Sequence, residues 1–287
     1  MGKLAEAALD SDTLSHGTRG LPHPKSSDRT SVSEPEAPTP EHVPRRAVIL
    51  SGAGRFADQW HDFAATSARI AGILSDAGFE TEIAENVDER MADLSDAQLV
   101  VVNIGGPATP DLSADAHGHV GLLAYLRRGG PLLAMHSATT SLPSIPEWEA
   151  IVGGVWMPGT TMHPEYGLTH ILVHARNHPI VSTVGDFDLY DERYSYLRTG
   201  AGLTHLAEHE FDGIGHPVLW AHTYGTARIV YDALGHDAAS YDSATHREII
   251  TRAALWLVGD LDHVGDPDRA DNSGESEPVA QLDETSA

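Results

Sequence analysis

The 287-residue sequence has no cysteine, which removes disulfides, thiolate zinc sites, iron–sulfur clusters and cysteine nucleophiles together. Positive charge is scarce too. Lys and Arg number 18 against 42 Asp and Glu, a formal charge of −24, and the only lysines are Lys3 and Lys25. Nucleic-acid binding draws on clustered Lys and Arg that release counterions, so no nucleic-acid partner is expected. An anionic membrane surface is disfavoured for the same reason. No stretch approaches the roughly 18 consecutive apolar residues of a membrane span, and the first twenty residues lack the apolar core of a signal peptide. The expectation is a soluble, cytoplasmic, acidic protein. Any nucleophile or metal site in it must be built from His, carboxylate, Ser, Thr, Tyr or Lys.

Residues 1–45 contain six prolines and no aromatic residue, and residues 262–287 carry eight acidic residues against one arginine. Neither composition buries enough apolar surface to offset the entropy of ordering, so the first reads as a disordered leader and the second as a disordered acidic tail. Residues 46–261 hold every Trp, Tyr and Phe, a length suited to one α/β domain, with no internal repeat. RAVILSG reads as a buried parallel strand, and 61–77 as a helix with Phe63, Ile70, Ile73 and Leu74 at helical spacing and Gly78 to end it. FETEIAEN and QLVVVNIGG read as further strands, 115–128 as a helix, and PLLAMHSA as a strand stopping at His136. This order is that of a doubly wound sheet. LTHILVHA, DFDLYDERYSYL, VLWAHTYG and TARIVYDALGHD alternate in polarity and read as added antiparallel strands, the last pair joined at YGTA. A helix over 243–258 closes the domain.

Ligands of open α/β sheets bind beyond the carboxyl ends of the strands, and that rule selects among the 18 histidines. His136 ends a buried strand between small residues, where such folds present a base or nucleophile. His236 follows Gly235 after another strand. Glu192 and Tyr194 fall on one face if Asp191–Tyr194 is extended, offering a general acid/base or metal ligand beside a hydrogen-bond donor. His61 precedes the first helix, and His163 and His178 are held extended by the prolines after them. Asp237 either orients a ligand or caps the next segment. His136, Glu192 and His236 are thus the candidate catalytic residues, with His61, His163, Tyr194 and Asp237 as candidate substrate contacts. Convergence of His136, Glu192 and His236 would suit a divalent metal such as zinc, manganese or iron, although no two of them have the spacing of a short metal motif. Gly52-Ala53-Gly54 lacks the completions of a phosphate loop.

The ordered set AVILSG, WHDF, RRGGPLLAMHSAT, WEAIVGGVW, MHPE, NHPI, DERY, PVLW, YGTARIVY and LGHD, spread over residues 46–258, resembles the ThuA-like (trehalose utilisation) proteins. The resemblance implies a flavodoxin-like layered sheet of the class I glutamine amidotransferase kind, with helices on both faces and added antiparallel strands. Aligned by motif, His136 falls where an amidotransferase carries its elbow cysteine and His236 on its later histidine, so this chain is not a cysteine-dependent glutaminase. The family ties imply a carbohydrate partner, a trehalose-like disaccharide or a keto-sugar, and an enzyme of the isomerase or hydrolase kind. GVWMPGTTMHP is longer than the usual family link, and neither leader nor tail has a family counterpart. A carbohydrate-binding or regulatory domain without a nucleophile is the other reading, with Trp60, Trp148, Trp156 and Trp220 as sugar-stacking platforms. A third is a serine hydrolase built on Ser137 and His236, against which the G-x-S-x-G elbow is missing. Homo-oligomerisation is left open.

Overall fold

Three apolar runs, Arg45–Ser51 (β1), Leu99–Asn103 (β3) and Leu132–Met135 (β4), are buried along nearly their whole length, as strands covered on both faces must be. They belong to a computed structural model that describes residues 45–106 and 116–262, so the expected leader and tail lie outside the described residues except for their innermost positions, Arg45 and Asp262. Between and after these strands come α1 (Phe63–Asp76), β2 (Phe79–Ala84), α2 (Val87–Ala92), α3 (Ala116–Arg127), α4 (Trp148–Val152), β5 (Gly154–Val155), β6 (Gly167–Val173) and β7 (Phe187–Asp191). The chain continues through β8 (Arg198–Thr199), β9 (Thr204–Phe211), β10 (Ile214–Tyr224), β11 (Ala227–Asp232) and α5 (Ala244–Leu257).

The main sheet has nine strands in the order β2-β1-β3-β4-β11-β10-β9-β6-β7. Its first five strands are mutually parallel and reproduce the 2-1-3-4-5 order of the flavodoxin-like fold. β10, β9, β6 and β7 then extend the sheet by antiparallel pairing. α1 and α5 pack together against one face of the parallel half, and α2 packs with α3 over the other. The expected layering, with helices on both faces and added antiparallel strands, is what the chain builds. Asp62 opens α1 by accepting the Ala65 N–H, and Ser243 opens α5 by accepting that of His246, each satisfying a donor the helix leaves unpaired.

Four features depart from the sequence reading. TARIVYDALGHD, expected among the added antiparallel strands, supplies β11, which pairs parallel to β4 as the fifth strand of the parallel half and antiparallel only to β10. DFDLYDERYSYL is a strand only as far as Asp191, and Glu192 onward leaves the sheet. α2 and α4 are six and five residues long, too short for a helical period to register. β9 is formed by THLAEHEF, whose charged residues hide a strand fixed by pairing to both β10 and β6. Among the described residues no helix is long and apolar enough to cross a membrane.

Candidate active site

β4 stops at Met135 because His136 turns into the left-handed region at φ +38°, a conformation that costs a non-glycine residue roughly 1–2 kcal/mol. Packing holds it there. The Tyr231 hydroxyl donates to the His136 carbonyl at 2.7 Å, and His136 Nδ1 lies 2.6 Å from the Ala233 carbonyl oxygen. A carbonyl only accepts, so Nδ1 carries a proton, and in the neutral ring Nε2 presents a lone pair. The Tyr194 hydroxyl, 3.0 Å away, donates to it.

His61 sits in the loop between β1 and α1, where Asp58 accepts the Trp60 and His61 backbone N–H groups and contacts His61 Nδ1 at 2.8 Å. Burial and the neighbouring His136 outweigh Asp58 and push the His61 pKa down, so the ring stays neutral and Nε2 is the bare nitrogen. That nitrogen is buried with no hydrogen-bond partner. His236 follows β11 after Gly235, whose φ of +110° admits the turn. Asp191, at the end of β7, accepts the Gly235 N–H at 2.7 Å, the His236 N–H at 3.1 Å and the Ser240 hydroxyl at 2.6 Å. One buried carboxylate thereby pins the end of the antiparallel extension to the loop after β11.

Glu192, one residue beyond Asp191, is delivered between these imidazoles. Its Oε2 lies 3.2 Å from His236 Nδ1 and 3.6 Å from His136 Nε2, and its Oε1 lies 3.6 Å from His163 Nε2. Burial opposes ionisation of Glu192, but His136 and His236 outweigh it and hold the carboxyl well below the usual carboxylate range. His236 responds in the opposite sense. Burial pulls it down, and the Glu192 carboxylate more than restores it, leaving its pKa raised. The rings of His61, His136 and His236 lie 4.9 to 5.4 Å apart, centroid to centroid.

A cavity of about 580 Å³ opens over this cluster, within the range of small-molecule sites, and its wall includes His61, Ser137, His163, Glu192, Tyr194 and the indoles of Trp60 and Trp156. His136 and His236 are not part of that wall and back Glu192 instead. The tertiary structure therefore brings together six of the seven candidates named from sequence. Asp237 is not part of that wall: its carboxylate accepts the Ala239 N–H at 2.8 Å, the capping alternative, and also holds the Tyr166 hydroxyl, whose ring lies 5.7 Å from that of His236. His178 is also elsewhere, stacked on Trp256 with its Nδ1 facing the Ile180 N–H. Ser137 reaches the cavity, but its hydroxyl donates to the Ile104 carbonyl at 3.0 Å, and among the described residues no histidine hydrogen-bonds to it. Two of the four expected stacking platforms are corrected, because Trp148 and Trp220 are core residues whose indole N–H groups donate to the Ala138 and Val152 carbonyls. Trp60, 68 % exposed, and Trp156 remain at the cavity.

Sequence reasoning missed Asp58, Asp191 and Tyr231 as parts of the site. Asp58 was findable as an acid three residues before His61 in one loop. Asp191 was hidden beside the more conspicuous Glu192, and nothing in the alternation of β11 distinguishes Tyr231 from an ordinary core aromatic.

Comparison with known proteins gives a family and a fold. The family profile for ThuA, described as trehalose utilisation, matches residues 46–257. A ThuA-like protein from Parabacteroides merdae is 19% identical and superposes with a TM-score of 0.64, covering 75% of this chain and 90% of that one. A ThuA-like protein from Bacteroides uniformis is 14% identical, with a TM-score of 0.61 over 77% of this chain and 95% of its own. At these identities the likeness is one of fold. No curated protein sequence matches the chain.

Proposed function

The chain belongs to the ThuA (trehalose utilisation) family, and from that premise we propose that it acts on a carbohydrate, a disaccharide or keto-sugar, bound in the cavity at the strand ends. The observation that carries the reading is the meeting of Glu192, His61, His163 and Tyr194 in one cavity wall, backed by His136 and His236 and flanked by two indoles. Sugars offer hydroxyls for carboxylate and imidazole and C–H faces for indole. In this reading His136, Glu192 and His236 supply the acid/base or metal-ligand groups. Glu192, held ionised, takes a proton from the substrate, and His163, 3.6 Å from it and half-exposed, passes that proton to solvent. Tyr194 donates to a substrate oxygen as charge develops on it.

The test is incubation of the full chain with trehalose, other disaccharides and their keto derivatives, with products followed by mass spectrometry and NMR. General acid–base groups contribute about 10²- to 10⁴-fold, so Glu192→Gln should cut turnover by at least about 100-fold. Turnover unchanged in both His136→Ala and His236→Ala would overturn the reading. The exposed Trp60 favours one alternative, a sugar-binding domain without catalysis. It predicts binding without product, abolished by Trp60→Ala and indifferent to the histidines.

A further inference from the structure

We propose that His61, His136, His236 and Glu192 together hold one divalent first-row transition-metal ion. One donor atom from each of the four residues can be chosen so that all lie within 4.8 Å of one another. Zinc bound at about 2.0–2.1 Å has neighbouring ligand atoms about 3.4 Å apart in a tetrahedron, and about 2.9 Å or, across the ion, 4.1 Å apart in an octahedron. The 3.2 and 3.6 Å separations of Glu192 Oε2 from His236 Nδ1 and His136 Nε2 are of that size.

The orphaned nitrogens supply a second argument. His61 Nε2 and His236 Nδ1 are sealed from solvent without a hydrogen-bond partner, the latter lying near Glu192 Oε2 but not aligned for a bond. A buried unsatisfied polar atom bears its desolvation uncompensated, so two of them in one cluster call for a common partner. The outer layer is that of a ligand set. Asp58 holds His61 by Nδ1 and the Ala233 carbonyl holds His136 by Nδ1, each turning Nε2 inward, which is how carboxylates and carbonyls orient metal-bound histidines. Tyr194 donates to His136 Nε2, and a rotation of its hydroxyl alone frees that lone pair. Three imidazoles and one carboxylate suit zinc, manganese or iron and are poor for magnesium or calcium. The inference stands on this geometry and not on the sugar reading, so either can fail without the other.

The experiment uses the full chain without an affinity tag, stripped with chelator, reloaded separately with Zn²⁺, Mn²⁺ and anaerobic Fe²⁺, desalted, and assayed by plasma mass spectrometry. At least one of the three ions should be retained at about one per chain. His61→Ala, His236→Ala and Glu192→Gln should lose it, with circular dichroism reporting their folding. Asp58→Asn, nearly isosteric and touching no ion, should weaken affinity about 10- to 100-fold by competition with a chelating dye. His170→Ala, an exposed histidine paired with Asp188, should retain wild-type affinity and controls for adventitious binding by a histidine-rich chain. Only traces of all three metals in the wild type would overturn the proposal. So would stoichiometric metal held with equal affinity by wild type, His61→Ala and Asp58→Asn.

Discussion

The strain at His136 can be isolated by comparing two substitutions at that position. His136→Ala and His136→Gly both delete the imidazole, so both lose the contacts to the Ala233 carbonyl and the Tyr194 hydroxyl, and these losses cancel in the comparison. What differs is the backbone. At φ +38° the Ala variant keeps a Cβ crowded against its own chain, costing roughly 1–2 kcal/mol, whereas Gly has none. Gly gives back about 0.4–1 kcal/mol through the greater freedom of its unfolded chain. Taking the middle of each range, the Gly variant should therefore be the more stable by about 0.8 kcal/mol, within about 0–1.6 kcal/mol, the reverse of the order in ordinary helix or strand interiors. For a domain of this size that is a rise of about 2–3 °C in Tm. Urea unfolding in the presence of chelator, followed by tryptophan fluorescence, measures the difference without a contribution from any bound ion. A Gly variant no more stable than Ala would show that the turn at the end of β4 carries no backbone strain.

Three further outcomes follow, two from buried groups outside the cavity and one from its exposed indole. Burial alone would lower the pKa of His246, but Asp232, 3.0 Å from its Nε2, outweighs burial and raises it. A raised histidine stabilises fully below the ordinary value of about 6.5 and loses that contribution as pH climbs through the folded value, so the stability gap between wild type and His246→Gln should shrink as pH rises above about 6.5. A gap that is flat or widens with pH would refute the pairing. Trp220→Ala should destabilise the fold by roughly 3–5 kcal/mol. Trp60→Ala should leave stability within about 0.5 kcal/mol while weakening sugar binding several-fold, and equal effects at the two positions would sink the distinction between core and cavity indoles.

The candidate site was legible in outline because the fold was. Once β4 was recognised as a buried strand and β11 as a strand of any kind, the residues just past their ends, His136 and His236, could be named without knowing what they touched. Glu192 and Tyr194 were named for a reason that did not hold: they were expected on one face of a strand, and they reach the cavity from a loop after β7 has ended. Asp237 shows the limit from the other side. Its neighbourhood in sequence is as suggestive as that of His236, yet it does not line the cavity and accepts the Ala239 N–H instead.

By itself the sequence determined the class of fold, because burial on both faces demands continuous apolar runs and burial on one face demands alternation, and both periods are written along the chain. It also determined what chemistry was absent, since a residue type that is missing cannot be supplied by folding. The tertiary structure alone decided that β7, at the far edge of a nine-stranded sheet, is tied through Asp191 to the loop after β11, the central strand of that sheet. It alone decided which nitrogen of His136 faces inward, since that choice rests on the Ala233 carbonyl, 97 residues away. Hydrogen-bond partners separated by such distances leave no local period, and they exist only once the strands are in register.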